Sequence, residues 1–319
     1  MRVVVTGAAG FIGRRLAGAL QTRGRLDGQA ITELILVDRG FAPEKPSAPS
    51  GMKVRRVTGD LRDAACRAVL FHEPLQGFFH LAATLTAEAE RDFESGIEVN
   101  LVGLLGLLDD CRRMGGVRLI FTSSMAAFGG TLPEVVPDEI AQRPQTSYGV
   151  QKVIAELLLD DYTRRGFLDG RALRLPVVLM RPKGGAPALS ELISAVAREP
   201  LAGRSVVCPL KAATRFPVAS AGAVAKGLIA LFEVPSEVLG AVRTINLPGL
   251  SVTVDDMVAA VIARAGESAR DLITWQPDPR VQGLMDAMPR GFTSARAIQA
   301  GLRAEPNFDA VIDDFLAHP

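Results

Sequence analysis

Tyr148 and Lys152 stand four residues apart in "TSYGVQKVIAE", a stretch with helical spacing of its apolar residues. Four residues is about one helical turn, so the phenol and the ammonium share a face and can act on a common point. A cation beside a phenol favours loss of its proton, and the resulting phenolate can serve as a general base. The same spacing also arises on ordinary surface helices. The other tyrosine, Tyr162, has Gly166 at that distance, so the chain does not repeat the pattern.

A second group of residues lies at the N-terminus. "TGAAGFIG" sets Gly7, Gly10 and Gly13 directly after an apolar β-branched run and at the opening of a helical pattern. Glycines there let the backbone approach a pyrophosphate, whose charge is favoured by the unpaired N–H groups and the dipole of the helix start. The next apolar run ends in Asp38, an acid able to accept hydrogen bonds from both hydroxyls of an adenosine ribose and to repel a 2′-phosphate, which favours NAD over NADP. Arg39 adjoins it and would offset part of that repulsion. From Gly13 to Asp38 is 25 residues, longer than the roughly 20 expected, which points to an insertion around "TRGRLDGQ". Further on, "GDLRD", "FFHLAA", "EVN" and "FTSSMAAFG" each fall at or just beyond the end of a strand pattern. Singly they have plain structural explanations, since Asp60 can cap a helix, His80 can be a core imidazole, and Ser123 and Ser124 can satisfy local backbone groups.

The elements that must position these residues follow from periodicity. "RVVVTG", "ELILVD", "KVRRVTGD", "GFFHLAA", "VRLIFTSS" and "RALRLPVVLMR" alternate with helical patterns, as in repeated βαβ units. The expected fold is α/β, a doubly wound parallel sheet of the Rossmann type with a smaller mixed C-terminal lobe for the substrate. The sixth strand is expected to end at Arg181. The dinucleotide-binding domain is read as 1–182, with 215–247 returning to it, and the substrate lobe as 183–214 and 248–319.

Composition limits the partners. The 319 residues are 48% hydrophobic, and 36 Lys and Arg balance 35 Asp and Glu with no block of like charge. Neither nucleic acid nor an anionic membrane surface is expected. No apolar run reaches the length of a membrane span, and "MRVVVTG" enters a strand directly, without a signal-peptide succession. Cys66, Cys111 and Cys208 are scattered, with neither a CxxC nor a nearby histidine, so no disulfide framework and no metal site are expected. These features together imply a cytoplasmic protein.

The ordered set of TGxxGxxG, Asp38, "GDL", "HLAA", "VN", "TSS" and Tyr148-x-x-x-Lys152 resembles the extended short-chain dehydrogenases/reductases, which include sugar-nucleotide epimerases, dehydratases and sugar-acid dehydrogenases. The resemblance covers roughly residues 1–185. Within the family, "CPL", "TRFPVAS" and "INLPGLSVTV" in the C-terminal half are most similar to NAD-dependent enzymes that oxidise a four-carbon sugar acid at C2. The resemblance implies that Tyr148 is the base, that Ser124 orients the substrate oxygen, that Lys152 binds the nicotinamide ribose, and that Asn100 supports the site. It implies cofactor contacts from Gly7, Gly10, Phe11, Ile12, Gly13 and Asp38, from Asp60 and Leu61 near the adenine, and from Leu81, Ala82 and Ala83 near the pyrophosphate. Thr84 is placed beside the substrate. It also implies a homodimer packed through the helices near 98–114 and 147–165.

Two further expectations concern charge. A tyrosine with a pKa of about 10 is a poor base at neutral pH; Lys152 and a positively charged nicotinamide are expected to lower it. A sugar-acid carboxylate needs a cationic partner, and Arg215 and Lys183 are the candidates. The competing readings are an epimerase with the same Ser-Tyr-Lys set, and a dinucleotide-sensing module that catalyses nothing. A dehydratase of this family would carry an acid next to Ser124, where Met125 stands.

Overall fold

The computed structural model describes residues 1–43, 51–181 and 189–318. Its largest sheet is built from seven parallel strands, β1 (Arg2–Thr6), β2 (Glu33–Asp38), β3 (Lys53–Thr58), β4 (Gly77–His80), β5 (Arg118–Ser124), β6 (Asp169–Leu175) and β7 (Thr244–Asn246). Across the sheet they run β7-β6-β5-β4-β1-β2-β3. The direction of winding reverses between β1 and β4, and an open α/β sheet binds its ligands at such a point, beyond the carboxyl ends of the strands.

Alternation along the strands divides the core. Val3 and Val5 of β1 and Phe79 of β4 face α1 (Phe11–Arg23) and a later helix, Ala221–Glu233, where they pack with Leu16, Leu20, Leu228 and Phe232. Val4 and Phe78 point to the other face. There they meet Leu104, Leu107, Ala155 and Leu159 of α2 (Gly103–Met114) and α3 (Ser147–Arg164). The edge strand β3 carries Lys53, Arg55 and Arg56, charges that suit a strand with one unpaired side.

The extra length before β2 is a small hairpin in which Arg25–Leu26 pairs with Gln29–Ala30. Its two-residue loop, Asp27 (φ 49°) and Gly28 (φ 70°), has the left-handed backbone that a tight hairpin favours. At the amino ends of the strands, charges are locked in pairs. Arg171 is fully buried, donates to the carbonyls of Leu231 and Phe232, and pairs with Asp169 at 2.8 Å.

The sixth strand ends at Leu175 rather than Arg181, because Pro176 has no N–H to continue the ladder. Val177–Val178 leaves for a three-stranded sheet, pairing with Arg215–Ala219, which runs antiparallel to Leu250–Thr253. Phe216, Val218 and Val252 form a second core with the helices Leu189–Leu201, Val254–Ala265 and Phe308–Leu316. The last strand leads into Val254–Ala265 through a reciprocal cap between Thr253 and Asp256. The segment 215–247 is therefore split. Its first strand belongs to the small sheet, while Ala221–Glu233 and β7 pack on or join the large one.

Thr6 and His80 tie β1 to β4 at the reversal. The Thr6 hydroxyl accepts from the N–H groups of Leu81 and Ala82 at 3.2 and 3.3 Å, which leaves its proton for His80 Nδ1 at 2.9 Å. His80 is 4% exposed, and burial, with the Lys152 charge as a smaller cause, pushes its pKa down to about 3. It is neutral in the folded chain, whereas an unfolded histidine titrates near 6.5. The unfolded state therefore binds the extra proton below about pH 6.5, and stability present above that value is lost as the pH falls. His80→Gln is expected to flatten this dependence: the drop in melting temperature between about pH 7 and about pH 4.5, followed by circular dichroism, should shrink relative to wild type. An unchanged drop would contradict the assignment.

Candidate active site

The turn from β1 into α1 needs its glycines for specific reasons. Gly7 has φ +66°, and a Cβ there would lie 2.9 Å from Ala82 N, so the backbones of the two central strands touch at that point. A methyl group on Gly13 would collide with the Gly7 carbonyl. Helix α1 starts at Gly10 with no side-chain cap, which leaves N–H groups directed outward for an anion. At the end of β2, Asp38 accepts from Ala9 N–H at 2.9 Å and from Arg39 N–H at 2.7 Å, which fixes its carboxylate at the rim.

Between this turn and the second lobe lies a cleft of about 660 Å³, within the roughly 300–1,000 Å³ of ligand sites. Gly7, Gly10, Phe11, Ile12, Gly13 and Asp38 line it, with Asp60, Leu61, Leu81, Ala82, Ala83 and Thr84, and so do Ser124, Tyr148 and Lys152. Arg62 grips Asp60 through two side-chain hydrogen bonds and holds its carboxyl below the usual range. The glycine cradle, the uncapped helix start and the fixed Asp38 carboxylate fit a dinucleotide. No group of three His, Cys, Asp or Glu suited to a metal occurs among the described residues.

Tyr148 lies in the first turn of α3, which is capped by the Thr146 hydroxyl accepting from Gly149 N–H at 3.0 Å. A side chain at position 149 would strike the Ala126 carbonyl, so glycine there lets the helix approach the turn Met125–Ala127 that follows Ser124. Lys152 Nζ donates to the Thr122 carbonyl at 2.7 Å and sits 5.3 Å from the centre of the Tyr148 ring. One turn further along is Glu156, whose carboxylate pairs with Arg174 at 2.8 Å and accepts from Ser123.

The Tyr148 pKa moves opposite to expectation. Burial pushes the phenol up to about 12, opposed by the Ser124 hydroxyl and the Arg181 charge. Burial likewise brings Lys152 down to about 7, with Glu156 acting against it. A sequence displays the cation beside the phenol but not the loss of water around a buried Lys152 and a half-buried Tyr148, and the latter is the larger effect here.

Asn100 does not line the cleft. It lies in a turn of π-helix, Glu98–Val102, and its amide is occupied: Oδ1 accepts from Thr84 N–H at 2.9 Å, and Nδ2 donates to the Thr84 carbonyl at 3.0 Å and to Gln151 at 2.6 Å. Asn100 thus joins the Thr84 loop to α3 from behind the wall. Arg215 is also elsewhere. Strand register puts Ala219 beside Val178 of the cleft, and Arg215, four residues earlier, is about 13 Å along the strand. It lines a separate cavity of about 200 Å³ with Glu134, Asp286 and Arg290. Lys183 lies outside the described residues. Two groups escaped the sequence reading. Glu156 continues the Tyr148 and Lys152 stripe at the same spacing, a signal that was present, and Arg181, taken for the end of a strand, lines the cleft.

A doubly wound sheet with a glycine turn at its winding reversal, and a tyrosine and lysine on the adjoining helix, defines a Rossmann-type protein of the extended short-chain dehydrogenase/reductase class. The family model for the NAD-dependent epimerase/dehydratase family matches residues 3–242, and the chain belongs to that family, an enzyme of NAD-dependent redox chemistry. It is 43% identical to a D-erythronate dehydrogenase from Cupriavidus necator, over 99% of this chain and 98% of that one. It is 37% identical to a D-erythronate dehydrogenase from Haemophilus influenzae, over 100% and 99%. Among solved structures, a nucleoside-diphosphate-sugar epimerase from Agrobacterium tumefaciens superposes with a TM-score of 0.93 at 37% identity, covering 100% of this chain and 94% of that one.

The Asp38 carboxylate should disfavour a 2′-phosphate. In steady-state assays NAD is expected to be preferred over NADP by at least about tenfold in kcat/KM, or about 1.4 kcal/mol. Equal use would show that Arg39 outweighs Asp38.

Proposed function

We propose that the protein oxidises a secondary alcohol of a small sugar acid with NAD, acting at C2 of D-erythronate or a related aldonate and giving the 2-oxo acid and NADH. The observation that carries the reading is the convergence of Ser124, Tyr148 and Lys152 on the wall of the cleft that also holds the glycine turn. The two D-erythronate dehydrogenases that match over their full length support the substrate class. When bound, oxidised nicotinamide supplies the two-electron acceptor for the carbinol C–H. Tyr148, as phenolate, takes the hydroxyl proton, and Ser124 holds the same oxygen in line with it. Lys152 would bind the nicotinamide ribose hydroxyls. A half-buried phenol pushed up to about 12 would become a phenolate more easily with a positive charge beside it. Asn100 and Gln151 keep the Thr84 loop and α3 in register.

Tyr148→Phe is expected to lower kcat by at least about 10³-fold, within the range for loss of a general base, while NADH still binds. The substrate class is tested by NADH formation across C4 to C6 sugar acids and UDP-sugars. Net NADH with an acid supports the dehydrogenase; conversion of a UDP-sugar with none identifies an epimerase that returns the hydride.

The assembly we infer is a homodimer. Val102 and Leu105 beside or on α2, and Val150, Ile154 and Leu157 on α3, are exposed apolar side chains on two neighbouring helices. A second copy applying the same two helices would bury them in a self-complementary contact. Leu105→Glu with Leu157→Glu should convert a dimer to a monomer by light scattering; a wild type that runs as a monomer would refute the assembly. No described helix is long and apolar enough to cross a membrane, and the cysteines Cys66, Cys111 and Cys208 are unpaired. The free thiols fit the reducing cytoplasm that we infer.

A further inference from the structure

Arg181 stands out among the arginines removed from water. Arg2, Arg171, Arg174 and Arg198 are buried, and each has a carboxylate within 3 Å, from Glu33, Asp169, Glu156, and Glu191 with Glu199. Arg181 is partly buried in the wall of the cleft, and among the described residues its side chain makes one hydrogen bond, from Nη1 to Ser190 Oγ at 3.2 Å. No described acid comes within ion-pair distance of it. Glu191, whose charge does reach it, is engaged by Arg198 at 2.9 Å. Among the described residues, the guanidinium fork is therefore left mostly unoccupied in a partly desolvated place.

The backbone holds Arg181 there deliberately. Met180, itself 1% exposed, has φ +61°, a left-handed conformation that costs a side-chain-bearing residue roughly 1–2 kcal/mol. Leu179 N–H is tied to the Ala219 carbonyl at 3.1 Å, and the Arg181 carbonyl accepts from Arg198. The sharp turn between these two anchors sends the side chain into the cleft, where its guanidinium carbon lies 6.0 Å from the Phe11 ring and its charge acts on the Tyr148 phenol.

We propose that Arg181 binds the substrate's carboxylate through its open fork and so makes the site select hydroxy acids over neutral alcohols. This assignment rests on the sugar-acid reading above and replaces Arg215 in that role. A carboxylate accepts two parallel N–H bonds from one guanidinium, and a planar fork meets that geometry where an ammonium cannot. With the carboxylate on Arg181, the adjoining C2 hydroxyl is the one presented to Tyr148 and Ser124, so charge recognition also selects the carbon that reacts.

The test compares D-erythronate with erythritol, a neutral polyol of equal carbon number, in wild type, Arg181→Ala and Arg181→Lys, with NADH affinity measured by fluorescence. Arg181→Ala is expected to raise KM for the acid roughly 10- to 150-fold, the range for losing a charged hydrogen-bonded pair, and to erase most of the preference for acid over polyol. Arg181→Lys should keep the charge but not the fork, raising KM by less than Arg181→Ala does. NADH affinity should stay within about twofold in both. An unchanged KM for the acid overturns the proposal, and so does a parallel loss of NADH affinity in the folded Lys variant, which would make Arg181 a cofactor contact. A wild type that forms no NADH from any sugar acid overturns the substrate reading itself, and the assignment of Arg181 with it.

Discussion

Lys152 carries an amine into a place where only 3% of the residue is exposed and where one backbone carbonyl, that of Thr122, accepts from it at 2.7 Å. Desolvation disfavours its charged form strongly enough to bring the pKa near 7. Much of the neighbourhood is arranged around that group. Phe121 offers a ring face 4.4 Å from Nζ, and His80 stays neutral beside it instead of adding a second positive charge. Glu156 favours the ammonium from one turn away, while Arg174 takes up most of that carboxylate. A lysine so placed responds to whatever enters the cleft, because each new hydroxyl or charge alters a balance that is already close.

The two ends of the sheet divide the labour. At the amino ends Arg118, Arg171 and Asp169 form a closed ion-pair group with backbone carbonyls, in which every charge has an answer within the chain. At the carboxyl ends the polar groups are left with capacity to spare among the described residues: the N–H groups of the α1 start, the Asp38 carboxylate, the Tyr148 phenol and the Arg181 fork. A protein that satisfied both ends equally would be more stable and would bind nothing.

The parts of this arrangement that were legible in the sequence are those where one residue type answers a local backbone need. Gly7 and Gly13 are forced by close approach, Asp38 ends a strand, and Tyr148 and Lys152 share a helical face, and all of these can be read from spacing. Pro176 was equally local, yet an apolar run on both sides of it hid the change of sheet. What spacing could not convey was depth. The direction of the Tyr148 shift follows from burial contributed by distant segments, and Asn100 stands behind the wall, its amide taken up by Thr84 and Gln151. Arg181 was invisible for a related reason: its direction depends on a left-handed Met180 and on Arg198, seventeen residues away along the chain. Arg215 was the more conspicuous charge, but register along its strand carries it to another cavity.

Pro176 has one more consequence. Its ring fixes φ near −65°, and Leu175, Pro176, Val177 and Val178 all border the cleft. The crossing from one sheet to the other is thus itself a stretch of the pocket wall, with one rotatable torsion fewer than any other residue would give it. The change of sheet therefore also shapes the cleft, and a substitution at Pro176 would loosen its wall and the link between the two sheets together.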